Sequence, residues 1–128
     1  MELKKYKAVK ALIRYKNKFL LLKKEDFIGG EYDLPGGRKN PQEDDESALK
    51  REVKEETGLK IKIVKLLNSW SLDLPEKGIH LDGKTYLCES YSDKVKIGEE
   101  HSGYIWVTKE CLKKCNIPSW LEDAIYQL

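Results

Sequence analysis

Hydrophobic and polar residues alternate in several stretches of the chain, a pattern typical of β-strands with one buried face. In the earliest of these stretches Val9, Ala11 and Ile13 fall on the same face. On this basis strands are predicted over residues 6–15, 19–23, 32–34, 59–70, 85–91 and 104–107. A turn at residues 15–18 joins the first two into a hairpin.

One central stretch has the composition of a helix instead. Residues 46–57 contain no Gly or Pro and many good helix formers. Asp44 is the predicted N-cap, and Gly58 suits the position just after the helix C-terminus. Two further short helices, each starting at a residue that can serve as a cap, are predicted over 108–115 and 119–126.

Turn-forming residues mark the remaining segments as loops. Residues 25–30 include two consecutive glycines, and residues 73–84 contain Pro75 and an Asp82-Gly83 turn. The second segment is therefore predicted to be a long loop or a hairpin tip. The predicted order of elements is strands, a helix, more strands and a final helix. This order predicts an α/β fold, in which a mixed sheet is covered by helices on its two faces.

The central helix carries an acidic face that folding alone does not explain. At about 100° per residue, Glu52, Glu55 and Glu56 lie on one arc of it. Glu52 and Glu56 form an i,i+4 pair of like charge, which costs roughly 0.2–0.5 kcal/mol. Arg51 can pair with Glu55, but no cation on the helix is expected to neutralise the other two. A divalent cation held by oxygen ligands would supply the charge, and a solvated charged face is the alternative.

A longer pattern surrounds this acidic face. Gly37 is followed after five residues by Glu43, and after seven more by the sequence REVKEETGL at residues 51–59. This spacing over residues 37–59 resembles the Nudix box in every fixed position. The Leu-Pro-Gly-Gly sequence at residues 34–37 is similar to the usual lead-in of that box. The chain therefore resembles a small, single-domain, MutT-like Nudix hydrolase.

The resemblance implies both a fold and a reaction. The fold would be an α/β/α sandwich built on a mixed sheet. The reaction would be hydrolysis of a pyrophosphate bond in a nucleoside diphosphate derivative, assisted by Mg²⁺ or Mn²⁺. Such a linkage repels hydroxide because it carries several negative charges, and divalent ions held by carboxylates would offset that charge.

The resemblance also assigns roles within the box. Its metal-binding and catalytic carboxylates match Glu52, Glu55 and Glu56, with Glu56 as the central ligand and Glu52 also taking a proton. Arg51 matches the catalytic-site arginine that orients these glutamates, and a surface arginine is the alternative. Glu43 matches a supporting residue or an outer ligand.

Residues outside the helix complete the candidate site. The carbonyl of Gly36 is a further candidate metal ligand, and Gly36 and Gly37 stand where the backbone turns sharply and approaches the substrate closely. Glu100 is the expected additional catalytic and metal-binding carboxylate. Glu99 is the second choice, and a solvated loop acid is the alternative. The adjacent His101 is a lesser candidate because a single loop histidine is more often on the surface.

Substrate contacts are expected from a lysine and several aromatic rings. Lys23 matches a position where related enzymes often carry a basic residue that touches phosphate, with a solvated lysine as the alternative. Four aromatic residues offer a ring that could stack on a base, with core or sheet packing as the alternative: Tyr32, Trp70, Tyr86 and Trp106. Tyr32 stands where the family usually has Trp, and Gln42 where it often has Gly. These two departures affect the loop shape and the fit of the ligand, and neither position takes part in the chemistry.

Composition narrows the cellular setting. With 24 basic and 22 acidic residues the formal net charge is only +2, so bulk charge favours neither a nucleic-acid nor a membrane partner. Three cysteines, an odd number, indicate a reducing compartment and hence the cytoplasm. Cys111 and Cys115 are interpreted as two thiols on one short helix, with a zinc site as the alternative. A single domain over residues 1–128, monomeric or homodimeric, is expected.

Three functions are compatible with these observations. The leading prediction is a nucleoside triphosphate pyrophosphohydrolase that releases a monophosphate and pyrophosphate from a normal or oxidised nucleotide. An ADP-ribose or nucleotide-sugar pyrophosphatase is the alternative, because Pro75 lies sixteen residues past Leu59, close to where ADP-ribose-hydrolysing relatives carry a proline. Diadenosine polyphosphates and capped RNA remain open as substrates. A nucleotide sensor without activity is the third reading, although such domains typically lose box glutamates and this chain keeps them.

Overall fold

A mixed β-sheet organises the protein in the computed structural model, which describes residues 2–24 and 32–128. The predicted loop at 25–30 lies outside this range. The strands are β1 (Lys4–Tyr15), β2 (Lys18–Lys24), β3 (Tyr32–Asp33), β4 (Gly36–Arg38), β5 (Ile61–Leu74), β6 (Ile79–Ser90) and β7 (His101–Thr108). The helices are α1 (Asp45–Thr57), α2 (Lys109–Leu112) and α3 (Ser119–Tyr126).

The strand order explains why the sheet is mixed. Along its main path the described strands run β3-β2-β1-β6-β5, while β4 pairs with β1 and β7 with β2. The long central pair β1 and β6 is parallel, and the other pairings are antiparallel. Strand β4 therefore lies beside β1, which brings the glycine-rich lead-in next to the central strand.

Alternation along the central strands divides the core into two layers. Val9 and Leu20 face the layer that contains the buried side of α1. Leu12 and Leu21 face the opposite layer, which contains α2 and α3. The predicted α/β/α sandwich is thus confirmed, since apolar residues on both sheet faces are covered by helices.

Helix α1 begins and ends where the sequence predicts. The side chain of Asp44 accepts a hydrogen bond from the Ser47 amide at 2.8 Å. Gly58 adopts φ 73°, a left-handed conformation that favours glycine, and its N–H donates to the Lys54 carbonyl at 2.9 Å. Ala48, Leu49 and Val53 are buried against the sheet. The acidic residues on the adjacent arc are therefore held at a fixed distance from β4.

Of the two alternatives predicted for residues 73–84, the hairpin tip is confirmed and the long loop is wrong, because β5 and β6 pair antiparallel and the turn between them is short. Strand β5 continues to Leu74, a single 3-10 turn follows at Pro75–Lys77, and β6 begins at Ile79. The Asp82-Gly83 pair is part of β6 and not a turn. A side chain at Gly83 would lie only 2.2 Å from the Trp70 ring, so the glycine makes room for that ring inside the hairpin.

Smaller differences concern element ends. Gly36–Arg38 forms a strand where the sequence predicts only a bend, and β7 begins three residues earlier than predicted. Helix α2 ends at Leu112 and does not reach residue 115. Pro118, not Ser119, occupies the N-cap position of α3, and no side-chain capping bond forms there. Within the described residues, no helix is long and apolar enough to cross a membrane.

Candidate active site

The central feature of the site is a hydrogen bond between the glycine lead-in and the box helix. The amide N–H of Gly36 donates to Oε2 of Glu56 at 2.6 Å. Glu56 is only 8% exposed, and this burial raises the pKa of its carboxyl to about 7 even though the Gly36 hydrogen bond acts in the opposite direction. Glu56 is therefore a carboxylate that gains from a nearby cation.

The two glycines beside this bond have different roles: the backbone requires the first, and the second leaves room for a carboxylate. Gly36 has φ +146°, and a Cβ there would lie 2.1 Å from the Val9 carbonyl oxygen. A Cβ at Gly37 would lie 2.8 Å from the carboxylate of Glu52. The absence of a side chain at residue 37 thus leaves the space that the Glu52 carboxylate occupies.

Arg51 gathers three glutamates around one guanidinium group. It donates from Nε and Nη2 to the two oxygens of Glu43, at 2.7 and 2.8 Å. It also contacts Glu52 at 2.9 Å and Glu55 at 3.4 Å. The expectation that no cation on the helix neutralises Glu52 is therefore wrong. The Arg51 hydrogen bonds, followed by that of the Asn40 amide, lower the pKa of Glu43 to about 2.

A second group forms where β7 approaches α1. Glu56, Glu100 and His101 each offer a ligand atom, and these atoms lie within 4.8 Å of one another. Glu99 does not belong to this group among the described residues. His101 is 8% exposed and begins β7, so the expectation of a surface loop histidine is wrong. The pairing of β2 with β7 shifts register at this point, a type of irregularity that re-aims side chains.

A half-buried ion pair next to this group was not found from the sequence. Lys10 donates to Asp33 at 3.2 Å and to the Leu34 carbonyl at 3.2 Å. Burial by itself would raise the pKa of Asp33, but Lys10, His101 and the Leu34 amide together hold it well below its usual value. The one available signal was a lysine among the apolar residues of the first strand.

These groups have the donor set that a divalent cation needs. Glu56 and Glu100 supply carboxylate oxygens, and Glu52 lies one helical turn before Glu56. Oxygen ligands of this kind suit Mg²⁺ and Mn²⁺. Glu55 is more peripheral, because 59% of its side chain is exposed and its contact is with Arg51.

The predicted substrate-binding residues lie on neighbouring strands. Lys23 pairs with Tyr32 on one side and with Gly103 on the other. Tyr32 packs against the core layer that contains α2 and α3. The structure therefore brings the two residues together at one end of β2.

The other three aromatic candidates are held by protein groups. Trp70 stacks on Trp120 with ring centroids 5.0 Å apart and donates to the Thr85 hydroxyl. Tyr86 donates a hydrogen bond to Asp45. Trp106 donates to the carbonyl oxygen of residue 93 at 3.2 Å. Each of these three rings thus contacts other protein groups, as expected from the alternative of core or sheet packing.

Fold and site together define a Nudix hydrolase. The family model for the NUDIX domain matches residues 4–126, and the chain belongs to this family. It is a Nudix pyrophosphohydrolase, an enzyme class that hydrolyses pyrophosphate bonds in nucleotide derivatives.

Individual relatives agree with this assignment. The chain is 34% identical over 114 residues to nucleoside triphosphatase NudI of Escherichia coli O17:K52:H18 (strain UMN026 / ExPEC), covering 79% of this chain and 80% of the relative. The crystal structure of MutT protein from Methanosarcina mazei Go1 superimposes with TM-score 0.83 at 28% identity, covering 99% and 94% of the two chains. A NUDIX-family hydrolase from Clostridium perfringens, at 22% identity and TM-score 0.80, shares the fold, with 98% and 97% of the chains covered.

Proposed function

We propose that the protein hydrolyses nucleoside triphosphates, normal or oxidised, to a monophosphate and pyrophosphate with Mg²⁺ or Mn²⁺. The observation that carries this proposal is the convergence of Glu56 and Glu100 within 4.8 Å, one helical turn from Glu52. The choice of a triphosphate is supported by the relative named a nucleoside triphosphatase, which matches most of both chains.

The residues of the site would divide the work as follows. Glu56 and Glu100 would hold a divalent cation, together with Glu52 and the Gly36 carbonyl. When bound, such an ion supplies charge neutralisation at the pyrophosphate oxygens and acidifies coordinated water. The Gly36 amide fixes the Glu56 carboxylate through its 2.6 Å hydrogen bond.

Arg51 and Glu52 supply the second part of the mechanism. Arg51 contacts Glu52 at 2.9 Å and is itself fixed by Glu43, so the orientation of the Glu52 carboxylate is set before substrate binds. Glu52 would accept the proton of the attacking water, because an oriented carboxylate at the edge of a cation site can act as a general base. Lys23 and Tyr32 would contact the phosphate chain and the base.

The alternative ADP-ribose reading loses its specific support. Pro75 opens the 3-10 turn between β5 and β6, where its fixed φ suits the first position of a helical turn. This local role accounts for the proline without a ligand. An ADP-ribose pyrophosphatase from Streptococcus suis 89-1591, at 20% identity and TM-score 0.62, shows only that the fold is shared.

A hydrolysis screen tests the proposal. Purified protein is incubated with Mg²⁺ or Mn²⁺ and with each nucleoside triphosphate, 8-oxo-dGTP, ADP-ribose, a nucleotide sugar and a diadenosine polyphosphate, and products are separated by anion-exchange chromatography. A triphosphate should show the highest kcat/KM, give a monophosphate and pyrophosphate, and stop reacting in excess chelator. A higher kcat/KM for ADP-ribose, or turnover that survives the chelator, contradicts the proposal.

The same screen separates an enzyme from a sensor. A protein that only binds nucleotide would show a rise in Tm with a triphosphate and metal, but no product. We further propose that the enzyme acts in the cytoplasm as a monomer or homodimer. The free thiols of Cys88, Cys111 and Cys115 support a reducing compartment.

A further inference from the structure

A buried imidazole lies beside the carboxylates of the site. The side chain of His101 is only 6% exposed, and one of its ring nitrogens lies within 4.8 Å of oxygens on Glu56 and Glu100. Its Nδ1 is enclosed and has no hydrogen-bond partner within residues 2–24 and 32–128. An enclosed nitrogen without a partner loses its hydration and gains nothing in return, so it calls for a ligand.

The other ring nitrogen has a defined neighbour. Nε2 of His101 lies 3.7 Å from Oδ2 of Asp33. Asp33 is in turn fixed by the Lys10 ammonium at 3.2 Å and by the Leu34 amide at 2.8 Å. A carboxylate beside one nitrogen of an imidazole keeps the proton on that nitrogen, which leaves the opposite nitrogen with a free lone pair.

We propose that Nδ1 of His101 is a ligand of the catalytic cation, and that Asp33 is the positioning residue that orients it. The inference deepens the proposed function and rests on it for the reaction that the cation serves. Charge supports a cation here, because the carboxylates of Glu56 and Glu100 converge beside His101, while the Lys10 ammonium is already paired with Asp33.

A nitrogen ligand changes which ion the site prefers. Mg²⁺ strongly favours oxygen ligands, whereas imidazole suits first-row transition ions. An imidazole added to the oxygen ligands of the proposed site therefore selects Mn²⁺ over Mg²⁺. If His101 served only to contact Asp33, it would need Nε2 alone. The enclosed Nδ1 would then have no role.

Pulsed EPR of bound Mn²⁺ tests the proposal directly. Metal-stripped protein is titrated with Mn²⁺ alone, without nucleotide, and the ¹⁴N modulation of a coordinated imidazole is recorded. The chain has only two histidines, so the His80→Gln variant removes the other possible source. Parent and His80→Gln should both show the ¹⁴N signal, and His101→Gln should lose it. Mn²⁺ bound to the parent without ¹⁴N coupling, or no Mn²⁺ binding at all, overturns the proposal.

Affinity measurements supply a second criterion. In calorimetric titrations, His101→Gln should weaken Mn²⁺ binding about 10-fold or more and Mg²⁺ binding less than about threefold. Asp33→Asn should retain the ¹⁴N signal while weakening Mn²⁺ binding by a smaller factor. An unchanged ratio of the two affinities in His101→Gln contradicts the proposal. If circular dichroism shows that His101→Gln does not fold, the test uses His80→Gln, in which His101 is the remaining histidine. A ¹⁴N signal in that variant supports the proposal, and its absence overturns it.

These measurements are independent of turnover. A protein that shows the ¹⁴N signal and hydrolyses no triphosphate refutes the proposed function and leaves the histidine ligand established. A protein that hydrolyses triphosphates and lacks the signal refutes the histidine ligand alone.

Discussion

The amide N–H of Gly36 and Oε2 of Glu56 are joined by a 2.6 Å hydrogen bond that spans twenty residues of sequence. The bond connects the first residue of β4 to the next-to-last residue of α1. Because β4 is itself paired with β1, the carboxylate at the centre of the site is fixed relative to the sheet and not only relative to its helix.

Replacing Glu56 with Gln should abolish activity and leave the fold intact. Gln keeps an oxygen that can accept the Gly36 N–H, but it removes the charge that holds a cation. We expect kcat to fall about a thousandfold or more. The metal-free variant should unfold at the same or a higher urea concentration, because the burial that raises the pKa of Glu56 to about 7 penalises the charged form.

The exposed Lys54 on the same helix provides the control for that experiment. Lys54→Gln should retain parental kcat within about threefold, a barrier change below about 1 kcal/mol. Similar rates for Glu56→Gln and parent would show that the box helix does not carry the reaction.

Replacing Gly36 with Ala should destabilise the protein strongly. The added Cβ would lie 2.1 Å from the Val9 carbonyl oxygen, at a φ of +146° that side chains rarely adopt. We expect a loss of about 2–5 kcal/mol in urea unfolding. Gly78→Ala is the matched control, because Gly78 also has positive φ but, chain neighbours aside, no atom of the described residues lies within 4 Å of the added Cβ. Its loss should be about 1–2 kcal/mol, and equal losses would rule out the steric explanation.

Arg51→Lys should weaken metal binding and turnover together. A lysine keeps the charge but cannot contact Glu43 through two nitrogens and Glu52 through a third, as the guanidinium does. Loss of such an orienting residue should lower kcat/KM about 10- to 100-fold. Arg14→Lys, at the exposed ion pair with Glu89, should leave kinetics unchanged. If both variants match the parent, Arg51 has no orienting role.

A pH-dependent contribution to stability should come from the β5–β6 hairpin. His80 lies 2.5 Å from Asp73 and 3.0 Å from Asp82, and hydrogen bonds to these carboxylates raise its pKa above 6.5. A raised folded-state pKa gives stability that is fully present below the unfolded value and is lost as pH rises through the folded value. The contribution should therefore be present below about pH 6.5 and disappear at alkaline pH.

The His80→Gln variant measures this effect. The Tm difference between parent and variant should be largest below about pH 6.5 and disappear as pH rises into the alkaline range, and an NMR titration should place the folded pKa of His80 above that of a free histidine. High salt should reduce the difference, since the pairs lie at the surface. A Tm difference that does not change with pH would contradict this account.

Local sequence signals were sufficient for the central helix and for the positions of its acidic residues. Asp44, Gly58 and the arc of Glu52 and Glu56 follow from capping preferences and from the 3.6-residue period, which involve contacts only a few residues apart. The central strands follow from alternation for the same reason. The box spacing then sufficed to indicate the family before any long-range contact was known.

An Asp-Gly pair was a poor predictor of a turn at a position where a side chain distant in sequence packs against the glycine. Gly83 lies in a strand, where the Trp70 ring occupies the space of its missing side chain. Propensity alone assigns an Asp-Gly pair to a turn, and it contains no information about a ring on the neighbouring strand.

Only the tertiary structure decided how the site is completed. Glu100 and His101 reach Glu56 because β7 pairs with β2 and shifts register at His101, and Asp33 reaches Lys10 because β3 and β1 flank the same strand. The sequence indicated Glu100 but placed His101 on a surface loop and did not reveal the Lys10–Asp33 pair. Pairings between distant segments depend on sheet register and on which residues become buried, and a shift of one residue reverses the face to which a side chain points.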